Sequence, residues 1–169
     1  MFEEVAGIPA HPLLLHAAVV FVPLLALLAV GYALVPFIRA HTRWVLAVLA
    51  VVTPIAALVT KLSGDAFLSR MDAAGRITES FRPVIEEHEQ LGNLTLIASI
   101  VLALATLALV YLVGPRVAAA AHSTTATGAR GNGVLALVVK GLVVVAAGVS
   151  LYFVVRAGDS GAKAVWTGY

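Results

Sequence analysis

The chain has 169 residues, of which 61% are hydrophobic and 12% charged, and its mean hydropathy is +1.01. A soluble domain is about half apolar and about a quarter charged, so this apolar surface cannot be hidden in one aqueous core and lipid must be part of the solvent. A net charge of +2 and the lack of any basic stripe interleaved with aromatics argue against a nucleic-acid partner, and the absence of cysteine excludes disulfides, thiol catalysis, cysteine-ligated iron–sulfur clusters and Cys-type zinc sites.

The N-terminus, Met1-Phe2-Glu3-Glu4, is acidic where a secretory signal is basic, and the first apolar run is too long for a signal core. It reads as a retained membrane helix. Four apolar runs follow in order: Leu13 to Ile38, Trp44 to Leu62, Leu94 to Val113 and Val134 to Val155. Each is close to or above the ~20 residues that a helix needs to cross the hydrocarbon of a bilayer. Backbone groups in lipid must be satisfied within the segment, and no run alternates in polarity, so these are helices rather than barrel strands. The expectation is an all-α integral membrane protein, a single domain over residues 1–169, built as a four-transmembrane-helix up-down bundle with helices at about 13–38, 44–62, 91–113 and 134–156. Pro23 and Pro54 fall inside the first two helices, where membranes tolerate a kink.

The connections differ in character. Arg39 to Arg43 reads as a tight basic turn. Ser63 to Gln90 is a longer mixed-charge segment, in which Ala66 to Met71 suggests a short interfacial helix and Pro83 to Gln90 a helical entry into helix three. Ala118 to Gly133, rich in Ala, Ser, Thr and Gly, reads as a flexible loop. No sequence repeat stands out.

Alternating helix directions put the start of helix one, the end of helix two, the start of helix three and the end of helix four at one membrane face. That face collects His11, His16, Gly64, Asp65, Glu86, Glu87, His88, Glu89, Gly92, Asp159, Ser160, Gly161 and Trp166, whereas the opposite face holds basic residues, His41 and His122. Basic residues divide almost evenly between the two faces. Arg39 and Arg43 crowd one short connection and Arg116 sits at a helix end, which places both termini on the extracytoplasmic side of the cell membrane.

His11-Pro12 opens helix one, with proline suited to the first turn; His11 serves either as a helix start or as a ligand. His16 lies about one turn inside the apolar run, where an ionisable group normally faces the bundle interior and has a partner. Residues five apart on a helix point about 140° away from each other, so His11 and His16 do not grip one ion together. His88, Gly92, Thr95 and Ser99 recur at helical spacing, as do Thr53, Thr60 and Gly64; small residues of this kind let membrane helices approach closely. A glycine one turn below a histidine also leaves a slot beside the ring for a flat cofactor, a lipid headgroup or another helix. Asp159 is placed to orient a histidine of another helix through its second ring N–H, Gly158 and Gly161 suit a helix end, and Trp166 suits the membrane interface.

Four segments carry a family resemblance: Gly7-Ile8-Pro9-Ala10-His11-Pro12-Leu13-Leu14-Leu15-His16, Ser63-Gly64-Asp65, Glu86-Glu87-His88-Glu89-Gln90-Leu91-Gly92, and Gly158-Asp159-Ser160-Gly161-Ala162-Lys163-Ala164-Val165-Trp166. In this order they resemble the bacterial membrane family called domain of unknown function 2231, in its actinobacterial form, over almost the whole chain. Many relatives follow the inner histidine with Phe-Pro, whereas Ala17-Ala18 follow His16 here. The resemblance implies a membrane redox setting, because some relatives are joined to Rieske-type or cytochrome c-type domains, and its matching positions are His11, His16, Gly64, Glu87, His88, Asp159, Gly161 and Trp166.

Three readings follow. In the first, His16 and His88 ligate the iron of a single b-type haem from both sides, with Gly92, Gly64 or Gly161 making room, and electrons pass to a redox partner protein. In the second, the chain is a membrane assembly or accessory subunit without a cofactor, whose histidines and carboxylates hydrogen-bond across helix ends. In the third, His11, Asp65, Glu87, His88 and Asp159 bind or transport a metal ion such as zinc or copper. No nucleophile motif or phosphate-binding loop is present, so an enzymatic role is not expected and no catalytic residue is assigned.

Overall fold

The computed structural model describes residues 4–113 and 126–166, with the side chains of Val5 and residues 126–132 excepted. Four long helices dominate: α1 (Ala10–Leu34), α2 (Arg39–Ala73), α3 (Arg82–Leu112) and α4 (Ala126–Trp166). All four are long and apolar enough to cross a membrane. They pack as an up-down bundle in which each helix touches its sequence neighbours, α4 closes the ring against α1, and α1 faces α3 across the diagonal.

Local chemistry sets the ends of the helices. Pro36 forces the preceding Val35 into an extended conformation (φ −115°, ψ 94°), which stops α1. The turn is therefore Val35 to Ile38, with a 3-10 segment over Pro36–Ile38, and Arg39 to Arg43 is the first turn of α2 rather than a connection. Arg39 caps the end of α1, donating from Nε to the Tyr32 carbonyl (2.8 Å) and from Nη2 to the Ala33 carbonyl (2.9 Å). It thereby satisfies acceptors that the last turn of a helix leaves open. α2 runs on through Ala66 to Met71, which form no separate interfacial helix. It ends at Ala73, and Gly75, whose φ is +64°, supports a Schellman cap closed by Arg76 N–H to Met71 O and Gly75 N–H to Asp72 O.

Pro83 lies in the first turn of α3, where its missing N–H costs nothing. α4 begins at Ala126, inside the stretch that reads as a loop, and its first turns take in Gly128, Gly131 and Gly133 in spite of their poor helix preference. The remainder of that stretch, residues 118–125, lies outside the described residues.

Sorting of residues by size explains why lipid and not water surrounds the bundle. The interior is dominated by small side chains, among them Ala26, Ala29, Ala50, Ala103 and Ala147, interleaved with Leu25, Leu46, Leu102 and Leu109. The outer surface carries Leu27, Val48, Ile97, Leu104, Leu137 and Val145. A soluble helix buries its large aliphatic stripe, whereas membrane helices turn it outward and approach through small residues. Thr53 and Thr60 on α2 work in this close approach. Their hydroxyls donate across the interface to the carbonyls of Phe21 (3.4 Å) and Leu14 (3.0 Å), setting the antiparallel register of α1 and α2.

Before α1 a two-residue hairpin pairs Glu4–Val5 with Ile8–Pro9 through Ala6 and Gly7, both at positive φ as a tight hairpin turn requires. It brings Glu4 to an ion pair with Arg70 on the extension of α2.

Candidate functional site

The polar residues at the bundle end where α1 and α3 start are organised around two histidines. His11, the second residue of α1, directs Nδ1 at the backbone carbonyl of Thr60 (3.1 Å) and at Ser63 Oγ (3.2 Å), both on α2. Ser63 Oγ in turn donates to the same Thr60 carbonyl (2.7 Å), closing a triangle. A carbonyl oxygen only accepts, so the ring hydrogen sits on Nδ1 and Nε2 carries the lone pair of the neutral imidazole.

The second half of the chain repeats this arrangement. His88 on α3 directs Nδ1 at the Ala157 carbonyl (3.1 Å) and Ser160 Oγ (3.0 Å) on α4, and Ser160 Oγ donates to Ala157 O (3.0 Å). In both halves a glycine follows the serine and the imidazole lies against it. A Cβ on Gly64 would stand 3.1 Å from His11 Cε1, and one on Gly161 would stand 2.9 Å from His88 Cε1. The two helical hairpins thus share a station of four parts: a histidine on the first helix, then a carbonyl, a serine and a glycine on the second. Ser63 and Ser160 are the residues that sequence reasoning missed in this role. The signal available was the Ser-Gly pair near the end of both α2 and α4, each facing a histidine near the start of the preceding helix. It is hard to see in sequence because the two histidine–serine separations are 52 and 72 residues.

The two stations meet at the bundle axis. The rings of His11 and His88 lie edge to face with centroids 6.1 Å apart and planes at 76°, and Phe67 stacks on the outer side of His11 at 6.5 Å. The structure therefore pairs His88 with His11 and not with His16. His16 is exposed on the outside of the bundle, where its Nδ1 donates to the Pro12 carbonyl one turn back (2.7 Å). Because residues five apart cannot share a face, the helix start that turns His11 inward turns His16 outward.

The other expected site residues separate into those at the stations and those outside them. Gly64 and Gly161 belong to the stations, and the space they leave is filled by the imidazoles themselves. Gly92 has nothing within 4 Å of an added Cβ. Asp159 is exposed and paired with Lys163 (2.7 Å); it lies one position from the inward-facing Ser160 and so points away from His88, leaving the orienting role to the serine hydroxyl. Glu87 pairs with Arg156 (3.2 Å), Asp65 pairs with Lys61, and Trp166 is exposed at the end of α4. A cavity of about 160 Å³ lies beside Ser160, lined by Val84, Glu87, Asp159 and Lys163. It is smaller than the ~300–1,000 Å³ that ligand pockets usually occupy.

As a donor set, the site offers two neutral nitrogens and little more. Among the described residues no three His, Asp or Glu side chains converge as a metal site would require. No family model, curated protein or solved structure matches the chain.

Proposed function

We propose that the protein is a small electron-transfer component of the cell membrane whose working part is the His11–His88 pair, holding one iron-bearing group through its two free Nε2 atoms. The observation that carries this reading is the donor count together with the tautomer. Zinc sites take three or four protein ligands, whereas the iron of a b-type haem takes two axial imidazoles, the number found here. A haem held there supplies one-electron chemistry. The serines and carbonyls at Nδ1 would orient both rings and raise the basicity of Nε2, as second partners of ligating histidines do.

The fit is one of donor chemistry. The spaces at Gly64 and Gly161 are taken by the rings, so neither glycine offers a slot to the macrocycle. That filling favours a second reading, in which the pair staples the two hairpins of a cofactor-free assembly subunit.

One preparation separates the two. Protein purified in detergent from haem-supplemented cells is expected to show a Soret band that shifts on reduction. The band is lost in His11→Ala and His88→Ala and kept in His16→Ala. A colourless, folded preparation would remove the haem reading and leave the staple. Kinship with the domain-of-unknown-function 2231 family belongs to the same proposal and rests on the four motif segments in their order.

We further propose that both termini face the extracytoplasmic side, since Arg39 and Arg43 stand together at the opposite end of the bundle. A single cysteine introduced between Ala118 and Gly133 is then expected to resist an impermeant thiol reagent in intact cells. Labelling there reverses the orientation.

A further inference from the structure

Away from the histidines, the described part of the bundle core contains three hydroxyls that the packing leaves unserved. Among the described residues, Tyr32 Oη, Thr106 Oγ1 and Ser150 Oγ are enclosed without a hydrogen-bond partner. Tyr32 and Thr106 are both 0% exposed. A buried hydroxyl without a partner is rare, because it has given up water for nothing in return.

Two of these atoms lie at one depth. His11 and His88 stand side by side, so counting down the two parallel helices sets Thr106 on α3 level with Ala29 on α1. Tyr32 starts less than one turn beyond Ala29, and side chains on a helix lean back toward its N-terminus, which carries the phenol hydroxyl to the level of Thr106. Tyr32 belongs to the same buried core cluster as Ala105 and Leu109, which lie one position before and one turn after Thr106 on α3. The two hydroxyls do not bond each other, yet each can both donate and accept. Ser150 lies at a different depth, toward the histidine end.

We propose that Tyr32 Oη and Thr106 Oγ1 form an internal binding site for a bridging water molecule, in the half of the bundle away from the His11–His88 pair. Water is the guest of the right chemistry: it serves two hydroxyls at once and needs only two to four polar partners in a space of its own size. Arg39 stands over the Tyr32 ring at 5.9 Å and bonds the Tyr32 carbonyl, so the site lies directly beneath the basic end of the bundle. It is independent of the His11–His88 pair, and its failure would leave the reading of that pair untouched.

The sign of a stability change tests it. Orphan hydroxyls burden the fold, so Tyr32→Phe and Thr106→Val would each raise the Tm of the full chain in detergent. A shared water makes each of them lower it. We expect both single variants to melt lower than the parent and the double variant to melt no lower than the worse single, because one guest is lost only once. A Tm raised or unchanged in either single variant, or additive losses in the double, overturns the proposal. Magnetisation transfer from a long-lived water to the Tyr32 ring or the Thr106 methyl group, in the unmodified protein, reads the same site without substitution; its absence also overturns it.

Discussion

Gly161→Ala is expected to destabilise the bundle more than the same change at any other described glycine of the candidate site. The new methyl would stand 2.9 Å from His88 Cε1 and 3.3 Å from Nδ1, nearer than real Cβ contacts come. The imidazole is the free end of a side chain, but it is not free to move, since Nδ1 is held by both Ala157 O and Ser160 Oγ. Relieving the clash pulls the ring off those partners. Overpacking of this kind costs about 1–3 kcal/mol, and the better helix preference of alanine returns up to ~1 kcal/mol; with the ring held at two points the cost falls in the upper part of that range, and a net loss of up to about 2 kcal/mol remains. Gly64→Ala, at 3.1 Å from His11 Cε1, should lose less. Gly92→Ala meets nothing within 4 Å and should be neutral or gain up to ~1 kcal/mol from helix preference alone. Unfolding of the three variants in mixed micelles checks the order. Equal losses at Gly161 and Gly92 would mean that the imidazole does not rest on the glycine.

Much of this architecture is legible in the sequence because the bilayer imposes one rule: long apolar runs must be helices, and four of them in alternation bring distant ends together. That logic alone gathers His11, Gly64, His88 and Gly161 at one end of the bundle. It does not choose between His11 and His16. The choice depends on whether α1 begins at Ala10 or at Leu13, because only a helix that already includes His11 fixes the direction of that side chain relative to the rest of α1. Hydropathy marks where a helix enters lipid and not where its hydrogen bonding starts. The same limit hid the length of α2, whose last turns from Gly64 to Ala73 are polar and leave the apolar run while the backbone continues. Ser160 escaped for another reason. A serine on a membrane helix usually serves its own backbone, and only the approach of His88 from a neighbouring helix gives this hydroxyl a second task.

A double-mutant cycle on His11 and His88 should show whether the two stations act as one. Each histidine is half-buried, makes two contacts through Nδ1 and covers a glycine, so His11→Ala and His88→Ala should each lose about 2 kcal/mol, from hydrogen bonding together with the space left behind. If the hairpins were independent, the double variant would lose the sum. Edge-to-face rings 6.1 Å apart attract one another through their charge distributions, a contact that aromatic pairs value at about 0.5–1.5 kcal/mol and that either single substitution already removes. The double variant is therefore expected to fall short of the sum by about 0.5–1 kcal/mol. His16→Ala, on the outer surface, should stay within about 0.5 kcal/mol of the parent. Strict additivity would mean that the rings are neighbours without being partners. Coupling in the metal-free protein that grows when iron is supplied as haem would tie the pairing of the two hairpins to a shared ligand, because a group bound by both Nε2 atoms stabilises only the chain that has both.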